Sequence, residues 1–136
     1  MSELLPNLHD AELVGVELTG DRKTVRLSLV DNEKASIAIV ASGVKAFRLI
    51  DMGLQNVVYR LHRPESDTSS LSADLGGKLN WVTSCLDAPS YLSDAAMSDY
   101  LEKIKSGNLS LLLLEPSAGA ELAVLCESVA ITRQGS

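Results

Sequence analysis

Apolar and polar residues alternate along most of the first 62 positions. Over residues 12–19, Val14, Val16 and Leu18 fall on one side, and Leu13, Gly15, Glu17 and Thr19 on the other. A polar turn at 20–23 leads to residues 24–30, where Val25, Leu27 and Leu29 oppose Thr24, Arg26 and Ser28. Asp31, Asn32 and Glu33 make a second turn, and residues 34–40 set Ala35, Ile37 and Ile39 against Lys34, Ser36 and Ala38. Side chains of a strand point alternately to its two faces. Three such runs joined by short polar turns therefore predict an antiparallel meander with one buried face. Residues 44–50 predict a fourth strand with Phe47 and Leu49 inward, and residues 56–62 a fifth with Val57, Tyr59 and Leu61 on one face and Val58, Arg60 and His62 on the other.

The pattern then changes. Residues 64–78, PESDTSSLSADLGGK, are rich in Ser and Gly and predict a surface loop. Residues 79–85 predict a strand carrying Trp81. A helix is expected over about 93–106. Ser93 can cap it, Asp94 suits its positive end, and Met97, Tyr100, Leu101 and Ile104 form a stripe at helical spacing. Lys103 and Lys105 suit its last turn, and Gly107 can end it in a left-handed cap. The leucine run 111–114, short and following a helix stop, predicts a strand buried on both faces, within residues 109–115. A turn over 116–120 leads to a long final strand over 121–132, with Leu122, Val124 and Cys126 opposing Leu125, Val129 and Ile131.

These elements predict one α+β domain over residues 1–136. It would be a predominantly antiparallel sheet, an N-terminal meander and a C-terminal hairpin, with one main helix packed on one face. Consecutive strands are expected to pair in order, the alternative being a closed or strongly curled barrel.

Composition narrows the functions. Net charge is −6, with a pI near 4.8. Nucleic-acid affinity comes largely from neutralising phosphates with Lys and Arg, so this charge argues against nucleic acid and against an anionic membrane surface, and suits a basic protein partner. No apolar run approaches the roughly 20 residues that span a bilayer, and no leader pattern opens the chain, so a cytoplasmic location is expected. Cys85 and Cys126 form no C-x-x-C pair and read as buried free thiols in strands, though the sequence leaves their pairing open.

Candidate chemistry is sparse. His9-Asp10 is similar to the central pair of HD-type phosphohydrolases, but nothing upstream supplies another ligand and the scaffold reads as β. With two histidines and no cysteine cluster, a zinc site is not expected. No G-x-S-x-G elbow or Walker-A spacing is present; Gly76-Gly77-Lys78 reads as a turn. The carboxylate pairs Asp10 with Glu12 and Glu115 with Glu121 read as solvated. No catalytic residue, cofactor or metal is expected. Asp10 is expected to hydrogen-bond local backbone, and His9 to pack at the sheet end.

The opening Leu8-His9-Asp10-Ala11-Glu12-Leu13, followed by a meander, resembles small bacterial β-rich proteins that begin L/F-H-D-A-x-L. Some similar acidic proteins are immunity proteins of contact-dependent or other polymorphic toxin systems. The resemblance covers about the first 30 residues. It implies a non-enzymatic protein that neutralises a toxin by stoichiometric binding, with a basic toxin domain suiting the charge. Contact candidates are the acidic Asp67, Asp74 and Asp87, Trp81 as an anchor, and the pair His9 and Asp10. The alternatives are a self-associating module that buries residues 111–114 in a homodimer, or a carrier of a small apolar ligand lined by Val16, Leu27, Ile37 and Phe47.

Overall fold

The computed structural model describes residues 7–63, 71–84 and 92–134. Eight strands and two helices follow in the order β1 (Glu12–Leu18), β2 (Thr24–Val30), β3 (Ser36–Ser42), β4 (Ala46–Ile50), β5 (Val57–His62), α1 (Leu71–Val82), α2 (Asp94–Lys105), β6 (Ser110–Ala118), β7 (Glu121–Cys126) and β8 (Ser128–Gln134). All the strands belong to one antiparallel sheet of order β4-β7-β6-β5-β1-β2-β3-β8.

That order forces the sheet to close. β7 and β8 lie six places apart in it, which in a flat sheet would be about 29 Å at roughly 4.8 Å per strand. Only Glu127 separates them in the chain, a reach of about 7 Å. The sheet therefore curls until its ends meet. β3 runs on into β4 and β7 into β8, as two long bent strands side by side. Across the bend, Glu127 N–H donates to the Ser42 and Gly43 carbonyls and Lys45 N–H donates to the Leu125 carbonyl at 2.7 Å. Gly43, at φ +65°, lets the chain turn under the Glu127 side chain. The short seam between β1 and β5 completes the ring, through Glu12 opposite Val57 and the bond from Leu13 N–H to the Asn56 carbonyl.

β1, β2 and β3 pair in order, as expected. β4 and β5 do not: β4 crosses the bend to pair β7, and β5 lies between β1 and β6. The long final strand is likewise two strands. The break at Glu127 resets the alternation, so Val129 and Ile131 join Leu122, Val124 and Cys126 in the interior. In β1 a bulge between Leu13 and Gly15 does the same. Leu13 and Val16 both face inward and Val14 is left exposed, where unbroken alternation had placed Val14 with Val16.

Two apolar clusters result. The interior gathers Leu13, Leu27, Ile37, Ile39, Leu112, Leu114, Leu122 and Val124, with Val16 and Phe47 packed against them. On the outside of β4, β6 and β7, Leu111, Leu113, Ala123 and Leu125 pack beneath Leu75, Leu79, Val82 and Ile104 of the helices. The four consecutive leucines are thus divided between two cores, as burial on both faces requires, and none remains for self-association.

Helix α1 replaces the expected end of a loop and the strand over 79–85. Leu75, Leu79 and Val82 recur at helical spacing and are buried on the sheet, which outweighs the poor helix propensity of Gly76 and Gly77. Its last turn is held by Arg48 of β4. The guanidinium donates to the Trp81 carbonyl at 3.0 Å and lies 4.5 Å from the centre of the Trp81 ring. A cation suits both the ring face and the negative end of a helix. Helix α2 begins and ends as the sequence predicts. The Ser93 hydroxyl accepts from Ala96 N–H, and Gly107 at φ +87° closes a C-terminal motif in which Asn108 N–H donates to the Lys103 carbonyl.

Candidate functional site

The opening His9-Asp10 motif is built by a tight turn. Leu8 and Ala11 are buried in the interior cluster, and Ala11 N–H donates to the Leu8 carbonyl at 2.9 Å. Two apolar residues so close in sequence can both face inward only if the chain between them doubles back. Asp10 does this at φ +67° and leaves the His9 and Asp10 side chains outside. The turn is tied to β5, with Asp10 N–H donating to the Val58 carbonyl and Val58 N–H to the Ala11 carbonyl.

β5 carries the matching irregularity. Val58 lies opposite Pro116 and Arg60 opposite Glu115, so Tyr59 has no residue facing it. Pro116, which has no N–H to give the ladder, sits where the register breaks, and β6 continues through it to Ala118. The bulge splits both expected faces. Val58 and Leu61 are interior, whereas Tyr59, expected on the same face as Leu61, is 53% exposed. The freed Tyr59 carbonyl lies 3.0 Å from His9 Nδ1, which must donate because a carbonyl only accepts. The two rings meet edge to face with centroids 5.7 Å apart, and His9 Nε2 is 3.6 Å from Asp10 Oδ1.

Next along β5, Arg60 grips Glu115 of β6 with two bonds, Nε to Oε2 at 2.6 Å and Nη2 to Oε1 at 3.2 Å. His62 Nε2 lies 3.3 Å from the same Oε1. The Arg60 bond holds the Glu115 carboxyl below the usual glutamate range against the opposing effect of burial, and the charge of His62 adds to it. A carboxylate so held is a poor proton acceptor. Along the stripe Asp10, His9, Tyr59, Arg60, Glu115, His62 each side chain is held by a neighbour.

The structure brings His9 and Asp10 into this stripe and places Trp81 outside it. Trp81 is half-buried against the helix-side core. Asp67 and Asp87 lie outside the described residues, as does Cys85, and the side chain of Asp74, in the first part of α1, lies outside them too. Cys126 is buried, and its thiol donates to the Ser110 carbonyl. Val16, Leu27, Ile37 and Phe47 pack within the interior cluster. Among the described residues no group of three His, Cys, Asp or Glu side chains is placed to hold a metal ion, and no helix is long and apolar enough to cross a membrane. Glu115 pairs with Arg60 and His62 and not with Glu121. Strand alternation alone sets Arg60 and His62 on a common face, but their meeting with Glu115 depends on a register that the sequence does not reveal.

No protein-family model and no curated protein sequence matches the chain. Among solved structures, an uncharacterized protein from Neisseria gonorrhoeae shares the fold with a TM-score of 0.50 at 12% identity, over 93% of this chain and 94% of that one.

Proposed function

We propose that this chain is a non-enzymatic protein-binding protein of the immunity type, which neutralises a cognate toxin by occupying it stoichiometrically. One observation carries the reading. Among the described residues the exposed large apolar side chains are Val14, Leu18, Met52, Leu54 and Tyr59, and three of these five lie between 52 and 59. Tyr59 continues into the pinned stripe of Arg60, His9 and Asp10. An exposed aromatic beside a fixed guanidinium is the composition of an interface hot spot. The toxin class rests on the resemblance of the opening motif, and a basic toxin suits the net charge of −6, which would speed encounter.

The test is co-expression with the product of the adjacent reading frame. The neighbour is expected to arrest growth alone and to be neutralised by the wild-type chain. Tyr59→Ala, an exposed change that leaves the bonded carbonyl in place, is expected to lose protection while remaining folded. Full protection by Tyr59→Ala together with Arg60→Ala contradicts the assignment of the surface.

A further inference from the structure

In a chain of net charge −6, residues 57–63 read VVYRLHR and carry three bases and no acid. Arg60 and His62 meet Glu115 on the outer face of β5. Arg63 does not join them. It follows His62 directly, so strand alternation puts it on the side of Leu61, which faces the interior. Its burial agrees, at 5% exposure. Among the described residues the other buried polar side chains are Asn56 and Thr83, neither of them an acid. Arg63 Nε is enclosed and has no hydrogen-bond acceptor, the one such side-chain nitrogen or oxygen among those residues.

A guanidinium keeps its charge when buried, and a buried charge with no opposite charge beside it opposes folding strongly. Elsewhere this chain avoids that state. Arg60 grips Glu115 through Nε and Nη2, Arg133 meets Asp31 and Glu33, Arg48 donates to the Trp81 carbonyl, and Arg22 and Arg26 are exposed. The grip of Arg60 shows which chemistry would suit Arg63. Nε and the neighbouring Nη form a two-pronged edge that matches two oxygens of one carboxylate or phosphate. In Arg63 the Nε of that edge is the unused donor. Size narrows the occupant further. A side chain 5% exposed can be reached by a group of a few atoms, not by the face of a protein.

We propose that Arg63, at the end of β5, anchors a site for a small oxyanion, a carboxylate or a phosphate, which supplies the opposite charge. Arg63 lies across β5 from Arg60 and His62, so the proposal stands or falls apart from the toxin reading. Thermal melts of the full chain and of Arg63→Met, at constant ionic strength in chloride with sodium acetate or inorganic phosphate added, test it. Without oxyanion, Arg63→Met is expected to melt at or above the wild type, because an apolar side chain of similar length is tolerated better than an unpaired buried charge. Added oxyanion is expected to raise the wild-type midpoint by about 3 °C or more, saturating in the millimolar range, and to leave Arg63→Met behind. The salt with the larger effect tells carboxylate from phosphate. Calorimetric titration of that salt into the wild type is expected to show one site. Arg63→Met melting well below the wild type without oxyanion overturns the proposal, since the charge then has its partner within the chain. A rise that both chains share overturns it too, as does a wild type that neither salt moves or binds.

Discussion

The carboxamide oxygen of Asn56 accepts the backbone N–H of Ala120 at 3.0 Å across 64 residues of sequence. The same oxygen accepts Gly53 N–H at 2.9 Å, and the amide nitrogen donates to the Gly53 carbonyl at 2.8 Å. Asn56 is only 3% exposed, so one side chain fastens the 51–56 loop to the turn between β6 and β7. That turn needs Gly119 at φ +81°, where a Cβ would press on the Gln55 carbonyl and on Asn56 itself. Asn56→Ala leaves two backbone N–H groups without acceptors. It is expected to destabilise the fold by about 2–4 kcal/mol in urea denaturation. A loss below about 0.5 kcal/mol, the range of ordinary surface changes, would mean the clamp does not hold the loop.

The glycines of α1 offer a test of opposite sign. A Cβ at Gly76 or Gly77 would meet nothing within 4 Å. Each is therefore a helix-interior glycine with room for a side chain, and Gly76→Ala and Gly77→Ala should each stabilise by about 0.5–1 kcal/mol. Gly107→Ala meets no atom either, but its φ of +87° is one that alanine resists, so a loss of about 1 kcal/mol is expected there. Thermal melts of the three variants distinguish the cases. Destabilisation by both α1 changes would speak against the helix.

Glu115 gives the fold a pH dependence. Its folded-state carboxyl titrates below the ordinary value of 4.5, chiefly through the Arg60 hydrogen bond. A group whose value is lowered by folding contributes stability that is present above its unfolded value and is lost as pH falls through the folded one. The window therefore opens near pH 4.5 and extends downward from there. In Arg60→Gln the Glu115 midpoint should move back up, read by carboxyl-carbon NMR titration. An unchanged midpoint would show that Arg60 does not set it.

The β1–β2–β3 meander, helix α2 and the doubly buried leucines are legible in the sequence, because each is a local pattern repeated without interruption. Where the chain breaks its own period, the pattern misleads. The bulges at Val14 and Tyr59 and the kink at Glu127 each flip the facing of the residues that follow, and alternation carries no mark of them. Helix α1 is masked by Gly76 and Gly77, although Leu75, Leu79 and Val82 hold its period. Closure of the sheet turns on Gly43 and Glu127, two residues whose meeting is a tertiary fact. The site follows the same division. His9 and Asp10 can be picked out of the chain as a motif, but Tyr59 joins them only through its bulge, and Glu115 joins Arg60 only through the pairing of β5 with β6.

The central claim is that the exposed stripe around Tyr59 is where a partner protein binds. Calorimetric titration of the adjacent reading frame's product into the wild-type chain and into Tyr59→Ala tests it most directly. The account predicts one-to-one binding by the wild type and a loss of about 30-fold or more in Tyr59→Ala, the signature of a hot-spot residue. Equal affinity of the two chains, or no heat of binding with the wild type, would contradict it.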